Sequence, residues 1–447
     1  MKDDNEPFAT VIRKIAQPLQ GAVQDYDALL ELVGDARIVL IGEASHGTHE
    51  FYKQRALITQ RLIVERGFTT VAVEADWPDA YRANRWVRNA SADQDAVDAL
   101  AGFERFPTWM WRNADVLDFI GWLREHNDRI AGKGAKAGFY GLDLYSLRAS
   151  MEGVIAYLER VDPEAAIRAK ERYSCFDHFG TDMESYALAV GAKLTPSCED
   201  AVINELIEML QRRSRYTAQD GTVAEDEYFY AEQNARIVKN AERYYRTMIG
   251  AGISSWNLRD AHMTETLERL LFHLDKHHPN TKAVVWAHNS HIGDARATDM
   301  TLRHETNVGE LVRKAFPGQA VLIGMTTYTG TVTAATDWHG PAERKRVRPA
   351  LPGSIEEKLH MTGLDRFYLD LRSHAAYEQQ LRDSRLERFI GVIYRPETER
   401  QSHYYHARVA DQFDALLHFD RSRAVEPLER TARWELPEVP ETFPTGV

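Results

Sequence analysis

Arg37-Ile38-Val39-Leu40-Ile41-Gly42-Glu43-Ala44-Ser45-His46-Gly47 is an apolar run that ends abruptly in a carboxylate and an imidazole. The same event recurs down the chain. Thr69-Thr70-Val71-Ala72-Val73 runs into Glu74, Gly138-Phe139-Tyr140-Gly141 delivers Asp143, and Ala283-Val284-Val285-Trp286-Ala287 ends at His288 and His291. Short runs that are apolar throughout read as strands buried on both faces. In open α/β sheets the carboxyl ends of the strands form the crevice where ligands and chemistry sit. Charge gathered at those ends predicts an active site of carboxylates and imidazoles.

Downstream of the first strand the spacing predicts a helix over Thr48–Arg66. Thr48 suits the N-cap, Glu50 the positive helix start, and Leu57, Ile58, Leu62 and Ile63 make an apolar stripe. Gly67 supplies the stop. Gly42 and Gly47 bracket the turn before it and allow a sharp bend that presents Glu43 and His46. Residues 1–145 alternate strand and helix patterns in this way, as βαβ units do. Residues 146–280 read as almost wholly helical, with a capping-box pattern at Ser197 and Asp200 and a last helix that Pro279 stops. In residues 281–447 strands return at Ala283–Ala287, Ala320–Met325, Phe367–Leu371, Phe389–Tyr394 and Ala415–Phe419. Pro341–Pro352, with its basic Arg344-Lys345-Arg346, reads as an exposed loop. The expected fold is a three-layer α/β/α sandwich with a mostly parallel or mixed central sheet, completed by the late strands and interrupted by a large helical insertion.

Composition narrows the function. With 447 residues, 44% hydrophobic and 27% charged, the chain is that of an ordinary globular protein able to bury a large core. No apolar run approaches the ~20 residues of a membrane span, and Met1–Pro7 lacks the apolar core of a secretory signal. Two cysteines, Cys175 and Cys198, make no disulfide framework and lack zinc-ligand spacing. A cytoplasmic location follows as the default. A net charge of −12 argues against nucleic acid or an anionic membrane as partner.

The turn Gly42–Gly47 is not a phosphate loop, and no Gly-x-Ser-x-Gly elbow occurs anywhere in the chain. What remains is an imidazole three residues from a carboxylate. Histidine takes a proton near neutral pH, and a neighbouring carboxylate fixes its tautomer. The plain alternative is that Glu43 and His46 cap the helix. Glu74 at its strand end needs either a raised pKa or a cation, since Asp76 is the better N-cap for the helix that Pro78 opens. His288 and His291 suit either hydrogen bonding to an oxyanion or metal ligation. Arg55 reads as a surface arginine or as a cation reaching back to Glu43 or Glu74. Trp109 and Trp111 lie among Phe103, Phe106 and Met110, a cluster that is ordinarily core but can wall a pocket for a bulky apolar ligand.

Ile41–Phe51 with Arg55 resembles the opening motif of the erythromycin esterase family. Val73-Glu74-Ala75-Asp76-Trp77, Pro107–Asn113, Gly141-Leu142-Asp143-Leu144-Tyr145, Asn257-Leu258-Arg259-Asp260, Trp286–His291 and Phe413-Asp414-Ala415 resemble its later segments in order, so the likeness covers nearly the whole chain. It implies a three-layer α/β fold related to haem-uptake and TraB-like proteins, and hydrolysis of an ester, which in the best-known members is a macrolide lactone. It further implies His46 as the base that activates water, Glu43 and Glu74 as essential partners, and Arg55, His288 and His291 as supporting groups. Asp143, Trp77, Trp109 and Trp111 are the candidate substrate-binding residues. The resemblance implies no covalent serine, no cofactor and no metal requirement; the expected partner is a small-molecule ester or lactone. The competing readings are a metal- or haem-binding protein using the same histidines and a metal-dependent hydrolase.

Overall fold

In the computed structural model, residues 8–132, 134–180, 182–218, 222–248, 255–373 and 378–435 are described. Met1–Pro7, the stretch expected to lack a secretory signal, lie outside them. Eleven strands are present among the described residues: β1 (Gln17–Pro18), β2 (Ile38–Ile41), β3 (Thr70–Asp76), β4 (Gly138–Asp143), β5 (Ala283–Trp286), β6 (Ala320–Ala334), β7 (Glu343–Val347), β8 (Arg366–Asp370), β9 (Arg385–Arg388), β10 (Tyr404–Ala407) and β11 (Ala415–Ser422). The helices used below are α1 (His49–Arg66), α2 (Trp77–Val87), α3 (Ala114–Arg129), α4 (Leu147–Val161), α5 (Thr222–Met248) and α6 (Ser255–Asp275).

Nine strands form one mixed sheet in the order β1-β8-β11-β6-β2-β5-β3-β4, with β7 on the far end of β6. From β11 to β4 every neighbouring pair is parallel, while β8, β1 and β7 join antiparallel. Alternation along β2 sorts the two faces. Val39 and Ile41 join α1 and α3 in one core, whereas Ile38 and Leu40 join Met263, Leu267 and Leu271 of α6 in the other. Helices therefore cover both faces, as expected of a three-layer α/β/α sandwich. Between β4 and α6 the helices from α4 to α5 bury a core of their own, from Leu144 and Leu147 to Val238 and Ala241. That unit meets the sheet's edge through Trp77, Tyr140, Phe229, Ile237 and Leu270.

Register brings the strand outlets level. Ile41 and Val73 both pair with Trp286, and Asp76 pairs with Asp143. Glu43, Glu74, Asp143 and His288 thus emerge side by side. Helix α1 begins at His49 after Thr48 and ends at Gly67 in the left-handed conformation, φ 71°. The Thr48 side chain accepts no cap bond; its hydroxyl is shared with Ser45. Gly42 and Gly47 are required by close approach, since neither has a positive φ. A Cβ on Gly42 would sit 2.1 Å from Asn289 Oδ1, and one on Gly47 1.8 Å from the Thr333 carbonyl. The Thr333 contact is to backbone, which cannot swing aside. Gly47→Ala is expected to cost about 3 kcal/mol or more, read as a lower midpoint in urea unfolding.

Four local expectations need correction. Phe389–Tyr394 is not a strand; the strand is β9, just before it, and it pairs with β10 in a separate two-stranded sheet. Ile390 and Ile393 instead make single bridges to Ser45 and Ala335. Residues 343–347 are the strand β7 rather than an exposed loop, because β6 continues far beyond Met325 and pairs with it. Lys345 there is buried, donating to Thr336 Oγ1 at 2.7 Å. The helix expected from Ser197 starts at Glu199 with Cys198 at its N-cap. Cys198 is joined to Cys175 in a disulfide within the helical unit.

Candidate active site

Glu43, two residues beyond β2, is gripped on both oxygens. Oε1 accepts from His46 Nδ1 at 2.9 Å and Oε2 from Arg55 Nη2 at 2.9 Å. Arg55 is wholly buried, not a surface residue, because α1 turns it inward under Tyr52 and Trp286, whose ring centroids lie 4.4 and 5.2 Å from its guanidinium carbon. A carboxylate accepts only, so Nδ1 of His46 carries a proton, and Nε2 is the nitrogen left to exchange one. The backbone of His46 is pinned as well: its N–H donates to the Ile390 carbonyl at 3.3 Å, and its carbonyl accepts from Tyr52 Oη at 2.8 Å.

His46 Nε2 faces Glu74 Oε1 across 3.9 Å. Glu74 ends the apolar part of β3 and is almost completely buried. Its Oε1 accepts from Arg259 Nη2 at 2.7 Å and lies 3.3 Å from His291 Nε2, while Oε2 accepts from the His288 backbone N–H at 2.8 Å. Burial pushes this carboxyl up, but the facing His291, His46 and Arg259 hold it well below the usual carboxylate range. Arg259, near the start of α6, also forks onto Asp143, with Nε–Oδ1 at 3.0 Å and Nη2–Oδ2 at 2.6 Å. Both Asp143 oxygens are thereby engaged, and the guanidinium lowers its pKa against the effect of burial.

His291 presents Nδ1 to both oxygens of Asp260, at 2.9 and 3.0 Å, and its ring stacks on Trp256 with centroids 4.3 Å apart. Burial works against its proton, yet Asp260 and Glu74 raise it from 6.5 to about 9. Arg259 Nη1 approaches Nε2 at 3.0 Å, a like-charge contact offset by Glu74, Asp143 and Asp260 around it. The stability this imidazolium contributes is complete below pH 6.5, its ordinary value, and is lost as pH rises through about 9. Asp260→Asn is expected to move that loss to lower pH, read as melting temperature against pH.

His288 is different. Its Nε2 donates to the Ile390 carbonyl at 3.1 Å, and its Nδ1 accepts from the Ser290 hydroxyl at 2.8 Å. Burial, and His46 beside it, push it well below 6.5. It is a neutral ring, 4.7 Å from that of His46, with both nitrogens committed.

Charge bookkeeping over these contacts is short. Glu43 cancels Arg55, Asp143 cancels Arg259, and Asp260 cancels His291, which leaves the negative charge of Glu74 in excess, facing His46. A proton on His46 would balance the cluster.

The structure therefore brings together Glu43, His46, Arg55, Glu74, Asp143, His288 and His291. It does not bring the tryptophans to them. Trp77 packs on Tyr81, Tyr140 and Phe229, Trp111 on Phe103 and Phe139, and Trp109 against Phe106, all within core clusters. Among the described residues, no group of three or more His, Cys, Asp or Glu side chains is placed to hold a metal ion. Arg259 and Asp260 are the site residues that the reading of strand ends missed. They enter from a helix, and only the Asn257–Asp260 resemblance drew attention to them. The Ile390 carbonyl is a backbone group with no signal in sequence.

The family model described as erythromycin esterase matches residues 63–422. The chain belongs to the erythromycin esterase family. The match begins within α1, so Glu43, His46 and Arg55 precede it and rest on the geometry above. The family's erythromycin esterase type II from Escherichia coli is 22% identical over 444 residues, covering 95% of this chain and 98% of that one. Among solved structures, a Bacillus cereus protein superposes with a TM-score of 0.77 at 19% identity, covering 94% of this chain and 98% of its own. A mutant erythromycin esterase in its open conformation gives 0.66 at 15% identity, covering 91% and 98%. Likeness at these identities establishes the α/β fold.

Proposed function

We propose that this chain is a hydrolase that cleaves a carboxylic ester or lactone by direct attack of water, with His46 as the base. The observation that carries the reading is the 3.9 Å gap between His46 Nε2 and Glu74 Oε1. Two acceptors so spaced can share one water at about 2.8 Å from each. Glu43 keeps Nδ1 protonated, so Nε2 is free to take the water's proton. The imidazolium that forms is matched by Glu74, whose charge is in excess over the cations of the cluster.

The oxyanion produced by attack needs a cation or donor. The resemblance implies His288 or Arg55 in that role, but His288 Nε2 donates to the Ile390 carbonyl, and Arg55 is held through Nη2 on the Glu43 oxygen that does not face His46. We assign it to Arg259 and His291, which lie on the Glu74 side of the gap. A macrolide lactone fits this chemistry as one bulky ester among others, and resistance to such a compound would follow from its hydrolysis. Among the described residues, no helix is long and apolar enough to cross a membrane. A cytoplasmic location is proposed, against which the Cys175–Cys198 bond argues, since disulfides persist in oxidising compartments. The test is incubation with aryl esters and macrolactones followed by mass spectrometry. Gain of one water by a substrate supports the reading; no gain across the panel contradicts it.

A further inference from the structure

Arg259 makes more contacts than its charge requires. Asp143 and Glu74 already neutralise it, through Nε and Nη2. The N–H donors of a guanidinium lie in its plane, so these bonds leave movement out of the plane to be checked by something else. A ring stands there. The Arg259 guanidinium carbon lies 5.0 Å from the centre of Tyr145, two residues beyond the end of β4. Burial pushes the Tyr145 hydroxyl well above its ordinary pKa, so the ring is neutral and offers a negative face to a cation. Arg105 uses the same ring at 4.7 Å, while its Nε donates to Asp76 Oδ2 at 2.7 Å.

Tyr145 belongs to the packing of the helical unit. It lies half-buried against that unit's core, as does Tyr244 of α5. The two rings meet edge to face with centroids 5.4 Å apart, and their hydroxyls share a hydrogen bond of 3.2 Å. Tyr244 in turn abuts Tyr245 at 5.3 Å. Helix α6, which carries Arg259, has other anchors. Trp256 Nε1 donates to the Thr306 carbonyl at 2.9 Å, and Asn240 Nδ2 of α5 donates to His262 Nδ1 at 2.8 Å. Loss of the Tyr145 ring therefore frees the guanidinium and not the helix.

We infer that Tyr145 is a positioning residue for Arg259 and that Tyr244 ties it to the helical unit, so that this insertion sets the placement of an active-site cation. The inference rests on the hydrolase reading, in which Arg259 faces the oxyanion, and it names residues that act through Arg259 without touching substrate. A misplacement of about 1 Å in such a group can cost roughly a hundredfold in rate.

The experiment compares Tyr145→Leu, Tyr145→Phe and Tyr244→Ala with the parent protein, by steady-state kinetics on an aryl acetate and by NMR titration of His291. With Tyr145→Leu, kcat is expected to fall at least about tenfold with KM much less affected. Tyr145→Phe keeps the ring and is expected to recover most of the loss. Tyr244→Ala is expected to give a smaller fall, which disappears when Tyr145 is already leucine because both act through one ring. Arg259 opposes the proton on His291, so a displaced guanidinium raises that imidazole above about 9. The titration is expected to move up with Tyr145→Leu and to stay in place with Tyr145→Phe. It needs no turnover, and so it decides the matter even if no ester is hydrolysed. An unmoved His291 with Tyr145→Leu overturns the inference, as does a fall in kcat with phenylalanine as large as that with leucine. If Tyr145→Leu does not fold, the His291 titration of Tyr244→Ala takes its place: an upward move supports the link and none overturns it.

Discussion

His46→Ala is expected to lower kcat/KM by at least about 10³-fold on any ester the protein hydrolyses, with the melting temperature changed by only a few degrees. Both halves follow from the contacts. The imidazole is the group whose Nε2 faces Glu74, so its loss removes the proposed base. Glu43 keeps Arg55 at 2.9 Å, so no buried charge is orphaned. Arg55→Met would do the opposite and leave Glu43 without its cation, a change of the kind that costs several kcal/mol. Steady-state kinetics and a thermal melt on the same preparation separate a chemical loss from a folding one.

Glu74→Gln is expected to reduce kcat by about 10²- to 10³-fold with a much smaller effect on KM. Glutamine keeps the shape and an oxygen for the His288 N–H, now 2.8 Å away, so the strand end and the histidine turn stay in place. What disappears is the one charge not already cancelled. Arg259 and His291 would then face a neutral amide, and a proton on His46 would add a cation to an already positive cluster. The penalty falls on the state in which His46 is protonated, which in the proposed mechanism is the transition state, and so it appears in kcat. A matching rise in KM with kcat preserved would mean that Glu74 binds substrate instead.

Much of this was legible in the residues. Parallel strands buried on both faces are apolar along their whole length, so Glu43, Glu74, Asp143 and His288 stood out as charge at strand ends. A single sheet with a common register then made their convergence a geometric consequence. The stop at Gly67 and the N-cap position of Thr48 were equally readable, since they are local. Three things were not. Arg259 and Asp260 sit on α6, more than a hundred residues from Asp143 and Glu74, and helical periodicity does not distinguish an arginine facing a crevice from one facing water. The burial of Arg55 was hidden for the same reason. β7 was obscured by its own composition, because Arg344-Lys345-Arg346 looks solvated until Lys345 finds Thr336 across the β6 pairing. The tryptophans misled in the other direction: large rings beside a predicted site were read as pocket walls, and packing took Trp77 and Trp111 into the core.

Single-turnover hydrolysis of an ester in ¹⁸O-labelled water, followed by mass spectrometry of both product and intact protein, tests the direct attack of a His46-activated water. The account predicts one heavy oxygen in the acid product, unmodified protein at every time point, and no product with His46→Ala. An acylated protein accumulating before product, or undiminished turnover by His46→Ala, would contradict it.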